Sequence, residues 1–259
     1  MKLSIITCTY NSEKYLQDCI DSVIAQNLNI DDYEHIFVDA YSTDKTKDII
    51  AQYMKKYSNV KLIERKPKWV YNAMNEGIKE AKWEYILCLN SDDFLEHNIL
   101  EWYLKFIQET WNKDLYYWKL KFVENWKVKH VFNEKLMPLR KILFRLFWTN
   151  ALILHPTVLL KREALLNLWL FDENKKIASD YGMRLNILAN KKDYIFYPRV
   201  ISNFRVHESW ISSMDSNKKN EYQECKYFKK KYLSRPKYLL SIIIDYLCFL
   251  YWWLKKLLQ

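Results

Sequence analysis

The hydrophobic positions of this chain change period repeatedly between residues 3 and 89. Residues 3–7, Leu-Ser-Ile-Ile-Thr, form a short run suited to a buried strand. After Asn11 and Ser12 the spacing of Leu16, Cys19, Ile20, Val23 and Ile24 fits one face of a helix. The alternation continues with strands over 35–38, 60–63 and 85–89 and helices over 46–57 and 71–81. Strands alternating with helices of this length predict βαβ units and a mainly parallel sheet. The second half is less regular. Apolar runs over 115–123 and 128–132 predict a hairpin joined at 124–127, and the segments 141–147 and 162–168 look helical. Asp180 begins, or lies just inside, a further helix with apolar positions at Met183, Leu185, Ile187 and Leu188, and strand-like runs over 194–197 and 200–206 lead to His207.

In a parallel sheet of this kind, ligands bind outside the carboxyl ends of the strands. The polar residues that follow the predicted strands are Thr9, Tyr10 and Asn11, then Asp39, then Asn90, Ser91, Asp92 and Asp93. Although distant in sequence, they are expected on one edge of the sheet, where they form a carboxylate-rich cleft.

Four segments, taken in order, resemble the nucleotide-sugar domain of GT-A family 2 glycosyltransferases. They are Ser4-Ile5-Ile6-Thr7-Cys8-Thr9-Tyr10-Asn11, Val38-Asp39-Ala40-Tyr41-Ser42-Thr43-Asp44, Tyr71-Asn72-Ala73-Met74-Asn75-Glu76-Gly77-Ile78 and Leu89-Asn90-Ser91-Asp92-Asp93. The resemblance covers residues 2–213. It implies an α/β, Rossmann-like GT-A fold with a mainly parallel central sheet, and a nucleotide-diphosphate-sugar donor. Asp39, beside Thr9 and Tyr10, is expected to accept the ring N–H of a uracil-type base, with Asn11 and Asn75 also contacting the donor. In the resemblance Asp92 approaches the ribose, while Asp93, with His207, binds the Mg²⁺ or Mn²⁺ that neutralises the diphosphate. His155 stands near a second place where the family often has a histidine. The segment Phe171-Asp172-Glu173 followed by Ala178-Ser179-Asp180-Tyr181 resembles the one that carries the general base, which makes Asp180 the candidate. Ser179 departs from the acid frequent before that base and leaves its positioning open.

Charge and composition alter this picture at the C-terminus. The chain has 259 residues and a net charge of +10. From Ser216 to Gln259 ten Lys or Arg face three acids, so +7 of the total lies there. The run 218–237 is basic and 238–254 apolar apart from Ser241 and Asp245. The expected division is therefore a GT-A domain over 1–215 and a helical, membrane-associating tail over 216–259, whose partner is an anionic lipid surface and not nucleic acid. A helix packed on the domain or on a second subunit is the alternative. Five cysteines without C-x-x-C spacing read as reduced thiols. The N-terminus has too short an apolar run for a signal peptide, so the expected location is the cytoplasm, peripheral to the inner face of the membrane.

Eleven tryptophans against two glycines is an inverted ratio, since average usage would give roughly eighteen glycines. Trp69, Trp83, Trp169 and Trp210 fall where the family usually has glycine, and Trp126 follows Asn125 at a hairpin apex that favours Asn-Gly. UGA codons that mean glycine in the source would explain this; true tryptophans in an aromatic-rich chain are the alternative. The function these observations predict is inverting transfer of a sugar, expected from a UDP-sugar, to a hydroxyl of a lipid-linked or cell-surface glycan. The alternatives are a nucleotidyltransferase, which would want a Gly-rich basic phosphate loop that two glycines cannot build, and a non-catalytic membrane binder.

Overall fold

The computed structural model describes residues 2–66, 69–110, 113–132, 155–168, 170–190, 193–207 and 215–257. Four parallel strands form one half of a mixed sheet in the order β3-β2-β1-β4, with β1 Leu3–Thr9, β2 Tyr33–Asp39, β3 Val60–Glu64 and β4 Tyr85–Cys88. The helices α1 (Glu13–Ile24), α2 (Thr46–Lys56) and α3 (Val70–Glu80) connect them. Successive strand residues point to opposite faces, so β1 feeds two cores at once. Ile5 packs with Cys19, Val23, Leu87 and Trp118, whereas Ile6 packs with Val38, Met74, Ile78 and Cys88. Gly77 lets α3 approach the sheet closely, because a Cβ there would lie 2.6 Å from Ile6.

Burial on both faces extends even to the polar residues of β2. Glu34 accepts from Ser4 Oγ at 2.6 Å and from Lys61 Nζ at 2.7 Å. His35 Nε2 lies 2.9 Å from Thr7 Oγ1, and burial pushes its pKa down to about 3, so the ring is neutral. These partners answer the desolvation that would otherwise disfavour a buried polar strand.

Beyond β4 the sheet turns mixed. The antiparallel β8 (Val158–Lys161) comes next, then β6 (Leu115–Glu124), β9 (Tyr194–Arg205) and β5 (Phe94–Leu95), with β7 (Lys127–Phe132) paired to β6. The two runs predicted over 194–197 and 200–206 are one strand. Its register against β6 steps from Trp118–Tyr197 to Lys119–Val200, so Pro198 and Arg199 bulge from the ladder at a residue that has no N–H to donate. The short β5 and β8, and the helix α4 (Ile99–Glu109), are additions to the sequence reading. The helix predicted over 141–147 lies outside the described residues, and α5 (Arg162–Asn167) and α6 (Ser179–Ala189) occur where helices are predicted.

The expected tail does begin a new helix, α7 (Asp215–Tyr232), followed by α8 (Arg235–Leu257), but α7 does not leave the domain. Its Cys225 and Phe228 pack with Ala178, Tyr181 and Leu185 of the α6 region. A Cβ on Gly182 would lie 2.4 Å from the Phe228 ring, so this contact needs glycine. Asp245, the charge interrupting the apolar run, pairs with the buried Lys229 at 2.6 Å and joins α8 to α7. Among the described residues no helix is long and apolar enough to cross a membrane.

The β6–β7 turn has Asn125 at φ 48° and Trp126 at φ 63°, both in the left-handed region that a tight hairpin demands. A bulky residue there costs about 1–2 kcal/mol. The Trp126 ring packs at a tilt against Phe94 and lies 4.7 Å from the Arg205 guanidinium, which offsets part of that cost. Trp126→Gly is expected to raise Tm by about 2–4 °C, the shift for about 1 kcal/mol in a chain of this size. An unchanged or lower Tm in a thermal melt would count against glycine as the fitting residue. Trp69 differs, because its φ of −156° is extended backbone open to any residue. Trp83 is half-buried, and its indole N–H has no partner among the described residues. Trp169 and Trp210 lie outside them.

Candidate active site

The ends of β1, β2 and β4 meet on one edge through side-chain bonds between their loops. Asp39, fully buried at the end of β2, accepts from Thr9 Oγ1 at 2.8 Å, from Ser42 Oγ at 2.6 Å and from the Ser42 backbone N–H at 2.7 Å. A carboxylate offers about four acceptor positions, so one remains on Oδ2. Asn11, at φ 47°, acts as a bracket: its N–H donates to Ser42 Oγ and its Oδ1 accepts from the Thr43 N–H, both at 2.9 Å. Tyr10 beside it is 66% exposed and offers an open aromatic face.

The two aspartates after β4 have opposite surroundings. Asp93 is 1% exposed; its Oδ1 accepts from the Arg205 N–H at 2.9 Å and its Oδ2 from Asn90 Nδ2 at 2.8 Å. Burial, with the Asp92 charge beside it, pushes the Asp93 carboxyl well above the usual range. The Asp92 side chain is 33% exposed and lies 2.7 Å from His207 Nε2. The pair thus differs in access to an outside ligand. Asp93 locks the end of β9 to the β4 loop, which brings His207 against Asp92, and Asp92 is the carboxylate that faces outward.

Arg205, absent from the sequence reading, organises this corner. It donates through Nε to the Asp92 carbonyl at 2.9 Å and through Nη2 to Asp18 at 2.8 Å, and it covers Tyr15 at 4.6 Å. Tyr15 also packs against the His207 ring. A basic residue two positions before a candidate ligand histidine was the available signal.

Asp180 lies in the first turn of α6, with its side chain 18% exposed. Its Oδ2 accepts from Arg184 Nη1 at 2.7 Å, and its Oδ1 lies 3.0 Å from the Tyr71 hydroxyl. Burial disfavours its charge, but the Arg184 guanidinium and the Tyr71 hydrogen bond outweigh this and hold the carboxyl below its ordinary value. Tyr71 is the second residue of α3, after Val70, whose carbonyl is contacted by the Cys8 thiol at the end of β1. Asp180 therefore belongs to the same edge as Asp39 and Asp92. The Arg184 spacing of i+4 was legible; the Tyr71 contact was not.

Asn75, the expected donor contact on α3, faces the Phe171 segment. It is buried, and its amide pairs reciprocally with the Phe171 backbone at 2.9 Å while also donating to Glu173 at 2.8 Å. Asn72 donates to the other Glu173 oxygen at 2.8 Å. Both asparagines thus clamp the segment that leads to α6. His155 packs edge-on against Phe171, and burial lowers its pKa to about 4, which keeps the ring neutral. A broad cavity of about 650 Å³ lined by Lys2, Lys82, Trp83 and Arg162 lies at the opposite edge, at the strand starts, away from these groups.

The same architecture is found in solved structures. The Staphylococcus aureus TarS fragment 1–349 in complex with UDP-GlcNAc superposes with a TM-score of 0.71 at 25% identity, over 88% of this chain and 65% of that one. A mannosyltransferase from Pyrobaculum calidifontis, in complex with GDP-Man and Mn²⁺, superposes with a TM-score of 0.61 at 15% identity, over 94% of this chain and 74% of that one, a likeness of fold alone. The fold is of the GT-A type. Residues 4–169 match the model for glycosyl transferase family 2, and the chain belongs to that family. In sequence it is 30% identical to the Bacillus subtilis minor teichoic acid biosynthesis protein GgaB over 93% of this chain and 26% of that protein. It is 32% identical to the S. aureus poly(ribitol-phosphate) beta-N-acetylglucosaminyltransferase TarS over 74% of this chain and 33% of that protein. The chain thus spans a third or less of these two relatives.

Proposed function

We propose that this chain transfers a sugar, with inversion, from a UDP-sugar to a hydroxyl of a cell-wall glycan polymer of the teichoic acid class. The observation that carries the reading is the convergence of Asp39, the Asp92–His207 pair and Asp180 on one sheet edge. Asp39 has one acceptor position left on Oδ2 for the uracil N–H, which would reach this buried carboxylate once its surroundings give way, and Tyr10 is the exposed ring beside it. The names of GgaB and TarS support the acceptor class, and the TarS complex supports the donor.

Asp92 and His207, hydrogen-bonded at 2.7 Å, are a carboxylate and an imidazole that could exchange their shared proton for a divalent ion taking its remaining ligands from phosphate oxygens. Among the described residues no group of three His, Cys, Asp or Glu side chains forms a fuller cage. Asp92 and His207 would hold Mg²⁺ or Mn²⁺, which when bound offsets the charge of the departing diphosphate. Asp180 accepts the proton of the attacking hydroxyl. Its ion pair with Arg184 keeps it deprotonated, and the free lone pairs of its carboxylate receive that proton.

The exposed face of α8, formed by Leu239, Ile243, Tyr246 and Leu247, lies opposite the Ser241–Asp245 face that docks on α7. Exposed Lys230, Lys231, Arg235 and Lys237 lie just before it in the chain. Apolar surface beside clustered positive charge suits the interface of an anionic membrane, where the acceptor would be reached.

One assay tests both parts: hydrolysis and transfer with UDP-glucose, UDP-N-acetylglucosamine and GDP-mannose, with and without phosphatidylglycerol vesicles. Turnover confined to UDP-sugars and dependent on a divalent ion is expected. The triple variant Leu239→Glu, Ile243→Glu, Leu247→Glu should hydrolyse donor normally but no longer sediment with the vesicles. Turnover of no UDP-sugar would sink the donor reading, and equal sedimentation the membrane reading.

A further inference from the structure

Asp180 has to be aimed, and the residues around it in sequence do not do this. Ser179, which begins α6, has a buried hydroxyl with no partner among the described residues. The backbone N–H groups of the turn that enters α6 also need partners, because buried main-chain donors are costly to leave unpaired. A carboxylate from a remote helix meets that need. Glu224 of α7 accepts from the Lys176 N–H at 2.9 Å through Oε1, and from the Ile177 and Ala178 N–H groups at 3.0 and 2.8 Å through Oε2. Three donors on one carboxylate define both the height and the rotation of the turn that enters α6, and a negative charge there also suits the helix N-terminus.

The turn is coupled directly to the acid. The Ile177 carbonyl lies 2.6 Å from the Tyr71 hydroxyl, which is also 3.0 Å from Asp180 Oδ1. A shift of residue 177 therefore moves the Tyr71 contact and the Asp180 carboxylate together. Gly182, one turn along α6, admits the Phe228 ring at a distance no other residue would allow, and this brings α7 near enough for Glu224 to reach.

We infer that Glu224 is a positioning residue for Asp180, so that α7 is a structural part of the active site. The inference rests on Asp180 being the base. Removing Glu224 would let the turn relax, and a misplacement of about 1 Å can cost about 10²-fold in rate.

The test uses the full chain in four forms: Glu224→Ala, Glu224→Gln, Asp180→Asn and the double variant Asp180→Asn/Glu224→Ala. The readouts are kcat on UDP-N-acetylglucosamine or UDP-glucose, the Kd for UDP, and Tm. Glu224→Ala should lower kcat by about 10- to 100-fold with the UDP affinity unchanged. Glu224→Gln, which keeps the shape and one carbonyl acceptor, should recover part of that loss at wild-type Tm. In the Asp180→Asn background, Glu224→Ala should cost nothing further, because it acts through the group already removed. Normal kcat in Glu224→Ala, or the same fold loss in both backgrounds, would overturn the inference. Normal kcat in Asp180→Asn would instead overturn the base assignment on which it rests.

Discussion

Asp180→Asn is expected to lower kcat by about 10²- to 10⁴-fold, the range for losing a general base, while the affinity for UDP stays the same. Asn keeps the shape: its one carbonyl oxygen can still accept from Arg184, and its Nδ2 can donate to the Tyr71 hydroxyl, whose proton goes to the Ile177 carbonyl, so the fold around α6 should survive. What disappears is the negative charge that receives the hydroxyl proton. Another acid in the neighbourhood, Glu173, accepts from Asn72 and Asn75, one at each oxygen, as Asp180 does from Arg184 and Tyr71. Single-turnover transfer with an acceptor polymer separates chemistry from product release. A variant that transfers at the wild-type rate would remove Asp180 from the mechanism and leave Asp172 or Glu173 to be tried.

Asp92→Ala should reduce metal-dependent turnover by about 10²-fold or more, in line with losing a group that stabilises charge on the leaving side. Because that side chain is 33% exposed, Tm should barely change. Asp93→Ala should behave differently. It strips the partner from the buried Arg205 N–H and Asn90 amide, a loss of about 1–3 kcal/mol for each orphaned group. It would therefore lower Tm, and it would lower activity through the displaced His207. Metal titrations of both variants, followed by thermal melts, distinguish the two roles. If Asp93→Ala raises the metal requirement at unchanged Tm while Asp92→Ala does not, Asp93 is the ligand after all.

The two aspartates show how far a motif can be read. Leu89-Asn90-Ser91-Asp92-Asp93 announced an acidic strand end, because an apolar run followed by polar residues is a local pattern. Which carboxylate turns outward depends on the Arg205 N–H, 112 positions away, which claims Asp93 and leaves Asp92 to the histidine. Asn75 belongs to the same kind. Its motif is legible, but its direction is decided by the Phe171 backbone 96 positions on.

The sequence by itself determined the βαβ alternation, the edge where polar strand ends gather and the placement of Asp180 at a helix start. Each depends on residues only a few positions apart, whose period sets which face is apolar. The tertiary structure decided the rest. The tail illustrates the difference: its charge and apolar run suggested an appendage, yet α7 packs against α6 and sends Glu224 to backbone groups 46 to 48 positions earlier. Composition records that a segment is basic and amphipathic, but which surface covers its apolar face depends on shape. Here that shape is the space left by the missing side chain of Gly182, which becomes visible only when both helices are in place.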